Sequence, residues 1–233
     1  MRIPSSLLVA AVLIGLASPS AADPVGLVQK LQNTAYGTPP QAARMPKQPT
    51  DGVEFNELIE TVPRSAIEIG FIDGSSLTLG ADASVLIDEF VFDSASGSGN
   101  AVIGIGKGAV RWATGVMPPQ NVVIETPTAS IAIRGTLLKI GVKPNGDSII
   151  ALLRGLVNVR SINSGQSADL NPGQTALVTR DGVEVVDQVL SVADAIVDDG
   201  WSRAEDFSTG RRGRGRDSSG SGGSGSGNNS NDY

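Results

Sequence analysis

The sequence predicts an all-β fold of short strands, either a small β-roll or solenoid or a sandwich-like domain, followed by one helix and a disordered tail. Three observations predict it. The chain holds 29 glycines in 233 residues, with only 18% charged and 4% aromatic residues, a composition that favours short strands and tight turns over long helices. Its apolar residues alternate with polar ones instead of recurring every third or fourth position. The alternating runs are separated by Gly, Asn and Asp at intervals of roughly 8–12 residues, the spacing of sandwiches, barrels and rolls.

Taken in order, the chain opens on a segment of export type. Arg2 supplies a short positive region, residues 7–17 are apolar, and Pro19, Ser20, Ala21 and Ala22 offer a small-residue cleavage site, most simply before Asp23. The apolar run is too short to span a bilayer comfortably. No lipobox cysteine is present and no later stretch approaches membrane-spanning length. The expectation is a signal peptide over 1–22 and a soluble mature chain, periplasmic or secreted.

A β domain is expected over 23–187. Val25, Leu27, Gln29 and Leu31 alternate as one strand, which Gly37, Pro39, Pro40, Pro46 and Pro49 turn into a loop. Ile67, Ile69 and Phe71 share one strand face with Glu68 on the other. Asp73-Gly74 is then a hairpin turn of the kind that needs positive φ. Leu77 with Leu79, and Val85 with Ile87, alternate up to Phe90, Val91 and Phe92, before a Ser/Gly loop over 94–100. The second half repeats this grammar. The pairs Ile103/Ile105, Val110/Trp112, Val122/Ile124 and Ile131/Ile133 read as four short strands, and Leu138, Ile140 and Val142 as a fifth. Asn145-Gly146 marks a second hairpin, before Ile150/Leu152 and Val157/Val159. Asp181-Gly182 marks a third, between Ala176/Val178 and Val183/Val185. Residues 108–112 and 155–159 share a Gly-x-Val-x-apolar pattern 47 residues apart. This is either a repeated strand unit of a short solenoid or a chance likeness between glycine-led strands.

After Val186 the period becomes helical. Val189, Val192, Ala193, Ile196, Val197 and Trp201 form a stripe, with Asp194, Asp198 and Asp199 away from it. An amphipathic helix is expected over 188–207, capping the open end of the β core or binding a partner. Residues 208–233 are almost free of apolar side chains and are expected to be a disordered Gly/Ser/Arg tail.

Composition removes whole classes of chemistry. With no cysteine there is no disulfide, thiolate nucleophile or Cys-based zinc site, and with no histidine there is no Ser–His triad. No cofactor and no metal site is expected. Gly104, Gly106, Gly108 and Ala109 satisfy a loose dinucleotide fingerprint, but Val110 and Trp112 continue as a strand where a helix should open. Asp82, Asp88, Glu89 and Asp93 lack any calcium-loop spacing and read as solvated carboxylates. Without the signal the chain has 17 basic and 24 acidic residues, a net charge of −7, which disfavours nucleic acid as a partner. Arg211, Arg212, Arg214 and Arg216 concentrate positive charge in the tail, as a solubilising linker or as a contact for anionic envelope surfaces.

Three stretches in order carry a resemblance: Phe71-Ile-Asp-Gly-Ser-Ser-Leu-Thr-Leu, Val85-Leu-Ile-Asp-Glu-Phe-Val-Phe-Asp, and Thr126-Pro-Thr-Ala-Ser-Ile-Ala-Ile-Arg-Gly-Thr. With Glu57-Leu-Ile-Glu-Thr upstream, they make residues 25–186 resemble the FecR-like periplasmic domain family. The resemblance implies an all-β domain of Gram-negative bacteria. In the family's namesakes it stands behind a cytoplasmic anti-sigma segment and one transmembrane helix, relaying a signal from an outer-membrane receptor. This sequence departs from that design in opening on a cleavable signal, with neither the anti-sigma segment nor an anchor. The hallmark residues Asp73, Gly74, Thr126, Pro127, Arg134, Gly135 and Thr136 read as structural. Alternation leaves the Arg134 side chain either inward among Ile131 and Ile133 or outward.

The functional expectation is a binding module of signalling type, without catalysis, docking on an envelope protein whose identity the sequence does not name. Its rivals are a structural or cell-surface protein held by its basic tail, and a carboxylate-based glycan hydrolase.

Overall fold

The computed structural model describes residues 23–190, and almost all of it is strand. The first strands are β1 (Gly26–Gln32), β2 (Ala35–Thr38), β3 (Met45–Pro46), β4 (Gly52–Val53) and β5 (Glu57–Thr61). Next come β6 (Ala66–Phe71), β7 (Ser76–Leu79), β8 (Ser84–Asp93) and β9 (Ser98–Ala113). A single 3-10 turn at Pro119–Asn121 precedes β10 (Val122–Glu125), β11 (Ala129–Val142) and β12 (Ser148–Ser161). The series closes with β13 (Ser167–Leu170), β14 (Thr175–Val178) and β15 (Val183–Val186). The signal, the tail and most of the expected helix lie outside the described residues; residues 188–190 are not helical.

Hydrogen bonding joins all fifteen strands into one branched sheet, which the registers resolve into two layers. The first runs β3–β2–β5–β8, then residues 98–107 of β9, β10, residues 129–134 of β11, residues 156–161 of β12, and β13. The second runs β4–β1–β6–β7, then residues 108–113 of β9, 137–142 of β11, 148–154 of β12, β14 and β15. The architecture is therefore sandwich-like, with three long strands belonging to both layers. One apolar core lies between them. Phe71 of the second layer stacks on Phe90 of the first at 4.5 Å, and Trp112 closes on Phe71 at 5.8 Å.

Glycine is what lets a strand change layer without ending. Gly108 and Gly155 have φ of +91° and +94°, and Gly135 has +59°, conformations that side-chain-bearing residues avoid. Six short strands expected in pairs are accordingly three long ones, bent at Gly108, Gly135 and Gly155. The 47-residue echo finds its physical content here, since both of its leading glycines sit at a bend. At Gly108 a Cβ would lie 2.5 Å from the Cα of Ala83, so the corner also needs the space.

The entry segment departs from expectation. It supplies β1 to β4, because edge pairing with β5 and β6 orders residues whose prolines suggest only loop. Pro46 is tolerated because β3 pairs on one side only. In β1 the buried residue is Val28, while Leu27 is exposed. A bulge between Val28 and Lys30 in the pairing with β6 shifts the phase of the alternation.

Candidate functional site

The hallmark motif spans the turn from β10 to β11 and the first half of β11. Thr126 and Thr128 are buried although they sit in a turn, and their hydroxyls explain why. Thr126 Oγ1 accepts the amide of Ala129 at 2.9 Å and the hydroxyl of Ser148 at 2.7 Å. Thr128 Oγ1 donates to the carbonyl of Gly146 at 3.0 Å, and it lies 2.8 Å from Ser148 Oγ. Three hydroxyls thus replace water for the backbone of two neighbouring turns, the second being the Asn145-Gly146 hairpin, where Gly146 has φ +91°. Pro127 lies outside on this turn.

The Asp73-Gly74 hairpin is built in the same way. Gly74 has φ +78°. Asp73 is buried, and its carboxylate accepts the amide of Ser75 at 2.9 Å and its hydroxyl at 2.5 Å. The Asp73 carbonyl accepts the amide of Val116, which ties this turn to the loop after β9. Thr136, also buried, donates its amide to Thr114 Oγ1 at 3.1 Å, and the indole of Trp112 donates to the same oxygen at 3.2 Å.

Arg134 is the exception among the hallmark residues. The strand buries Ile131 and Ile133, and alternation then sends Arg134 outward. No hydrogen bond or ion pair joins its guanidinium to another described residue. It stands on the wall of a groove of about 590 Å³ on the outer face of the first layer, between the 3-10 turn and β13. Gln120, Ala132, Leu156, Asn158, Asp169 and Asn171 complete the lining. Leu156 is half-exposed, and Asn158 donates to Asp169 at 2.7 Å across the β12–β13 register. One cation, one carboxylate, three amides and an exposed leucine can hold a peptide-like ligand by mixed polar and apolar contacts.

A second, shallower groove of about 260 Å³ continues along the same face, over Leu58, Leu86, Gly104 and Gly106 to Pro127. Its floor is flat because the outward positions of β9 here are glycines. That is what the loose nucleotide-like fingerprint amounts to: residues 98–113 are one strand, and no helix begins at it. The face therefore gathers Pro127, Arg134 and Gly135 at the surface, while Thr126 and Thr136 lie beneath. Asp73 and Gly74 belong to the β6–β7 turn of the second layer, tied through Val116 to the loop after β9. Arg211, Arg212, Arg214 and Arg216 fall outside the described residues.

The groove residues other than Arg134 carry no signal that a single sequence could have singled out. Only Leu156, an apolar residue at an outward strand position, could have drawn attention. Of the acidic residues near β8, Asp93 has its pKa lowered by the Ser96 hydroxyl and the Ala95 amide that bond it. An acid held ionised in this way is unsuited to donate a proton. No group of three or more acidic side chains positioned for a metal occurs among the described residues. None of their helices is long and apolar enough to cross a membrane.

A different polar feature lies at the edge of the first layer. Glu57 is fully buried and its Oε1 sits 2.5 Å from the ammonium of Lys47, which also donates to the Gly52 carbonyl at 2.7 Å. The other Glu57 oxygen accepts the amide of Glu54 at 2.8 Å. Gly37 lies directly over the pair, and any Cβ there would collide with both side chains.

No curated protein matches the chain. Two crystal structures of a "putative anti-sigma factor" from Parabacteroides distasonis, at 1.65 and 2.50 Å, are similar at 13% identity over 59% of this chain, with TM-scores of 0.44 and 0.46. The match spans 62% of the length of each of those chains. The family model described as FecR protein matches residues 57–158, a narrower span than the 25–186 of the motif-based resemblance. The matched span runs from the first residue of β5 into the second half of the layer-switching β12, and over it the chain is similar to the FecR family.

Proposed function

We propose that the protein is an exported binding module of signalling type, periplasmic or secreted and without catalytic activity, that docks on an envelope protein through the outer face of its first layer. One observation carries the reading. The hallmark motif buries its hydroxyl residues and leaves Arg134, without a hydrogen-bond or ion-pair partner among the described residues, beside an exposed leucine in a groove of about 590 Å³. Arginine and exposed apolar side chains are the residue types that anchor protein interfaces. The signal-like residues 1–22 and the absence of cysteine and histidine support export and argue against catalysis.

Crosslinking in intact cells, followed by mass spectrometry, tests this on the full chain and on an Arg134→Glu/Leu156→Asp variant. One dominant protein partner, lost in the variant, is the expected result. The arginine run of the tail supports a second reading, attachment to anionic envelope surfaces. Capture of lipid-rich envelope fragments alone, unaffected at Arg134 but abolished when Arg211, Arg212, Arg214 and Arg216 become Gln, would refute docking and favour that attachment.

A further inference from the structure

The outer face of the second layer is dry. One cross-strand row runs from Glu68 through Thr78, Arg111, Lys139 and Ala151 to Thr175. Ala109, Gly141 and Ile149 form the row beside it. These positions alternate with core residues such as Val110, Ile140 and Ile150, so they point away from the space between the layers. Ala109, Ile149 and Ala151 stand apart from the core cluster, as that alternation requires. Yet Thr78 is 1% exposed, Ile149 3%, and Ala151 and Thr175 are 0%. Every described strand is already placed in one of the two layers, so this face needs a cover from elsewhere.

The described chain ends on that same face. Thr175 Oγ1 donates to the carbonyl of Gln188 at 2.7 Å and accepts the amide of Leu190 at 3.1 Å. These bonds deliver the chain onto the dry face at β14. The residues that follow carry the stripe Val192, Ala193, Ile196 and Val197, bordered at helical spacing by Asp194 and Asp199, with Asp198 opposite.

We propose that residues 191–201 lie across the outer face of the second layer as an intramolecular cover. The apolar stripe rests on Ala109, Ile149 and Ala151, with Asp194 and Asp199 at its two edges, one of them toward Arg111 and Lys139. Length agrees with this. Eleven helical residues extend about 16 Å, and the three strand spacings from β14 to β9 come to about 14 Å. Charge agrees as well: residues 191–206 hold Asp194, Asp198, Asp199, Glu205 and Asp206 against Arg203. The opposing face presents Arg111 and Lys139, while Glu68 is bound by Lys30 at 3.0 Å. The small residues of the floor let a helix approach closely.

The absence of cysteine makes a direct test available in the full chain. An Ala109→Cys thiol is labelled with a maleimide, with and without Val192→Asp/Ile196→Asp. Labelling is expected to be slow in the parent at every protein concentration and to accelerate ~tenfold or more once the stripe is broken, as release of a locally docked segment requires. Arg111→Glu/Lys139→Glu is expected to accelerate it too, and Asp194→Lys/Asp199→Lys added to that pair to restore protection. With Trp201→Phe in every variant, the near-UV signal of buried Trp112 reports that the β layers are intact. Should the Asp pair disturb it, the charge reversal and its rescue decide. Equal labelling in all variants overturns the proposal. So does protection that appears only as protein concentration rises, which would make a second copy the cover.

Discussion

Replacing Gly155 and Gly135 by alanine separates two demands that both glycines appear to share in sequence. Each has positive φ in a bent strand, but a Cβ at Gly135 would meet nothing within 4 Å. A Cβ at Gly155 would be driven into the carbonyl oxygen of Gly135 and lie 2.8 Å from that of Arg134, both backbone atoms that cannot rotate aside. Gly135→Ala therefore meets only the left-handed penalty of about 1–2 kcal/mol, offset by roughly 0.4–1 kcal/mol from a less flexible unfolded chain. A net loss of about 1 kcal/mol is expected. Gly155→Ala adds to the same net loss an overpacking term of about 1–3 kcal/mol, for a total of about 2–4 kcal/mol. With a urea slope of about 2 kcal/mol/M, the midpoint should fall by about 0.5 M for Gly135→Ala and by about 1–2 M for Gly155→Ala. Equal small shifts would refute the reasoning, because they would mean the layer switch at Gly155 has room to relax.

Lys47→Met should cost about 3–5 kcal/mol, since it leaves the buried Glu57 carboxylate without its cation; urea unfolding measures it, and a loss below 1 kcal/mol would show that Glu57 is not held as an ion. Thr128→Val keeps the side-chain shape but takes the 3.0 Å donor from the Gly146 carbonyl and leaves Ser148 Oγ with only its bond to Thr126 on this side. A loss of about 1–3 kcal/mol is expected by calorimetry, and a neutral outcome would mean water takes over these bonds. The Asp93 carboxyl titrates below its ordinary 3.8 because Ser96 and Ala95 bond its ionised form. That turn is thus fully supported above the unfolded value and loses the support as pH falls through the lower folded one. An NMR titration of Asp93 should show a midpoint below that of an unfolded peptide, and Ser96→Ala should raise it.

The β class, the hairpins at Asp73-Gly74, Asn145-Gly146 and Asp181-Gly182, and nearly all inward residues of the second half were legible, because alternation and turn chemistry are local. Strand length was not. A single sequence presents Gly108 or Gly155 as a break, and only the pairing partners on both sides show that hydrogen bonding continues through it. The phase of β1 was lost to a bulge, which leaves no residue signature at Val28. Thr126, Thr136 and Asp73 were legible as scaffold from their motif. The outward placement of Arg134 needed the strand phase, and its groove needed β13, whose Ser-Ala-Asp-Leu run scarcely alternates in polarity. Asn158 and Asp169 meet only through a register that no short-range pattern encodes.

The three bent strands have a mechanical consequence. Most sandwiches have a seam, an interface between two separately bonded sheets along which one can slip over the other. Here the covalent chain crosses that plane at Gly108, Gly135 and Gly155, so the layers are stitched as well as stacked. Displacement imposed on one face passes to the other along peptide bonds, at three fixed points. A partner seated beside Arg134 would be pulling directly on Gly135, one residue away, and through it on the strand that runs beneath the opposite face.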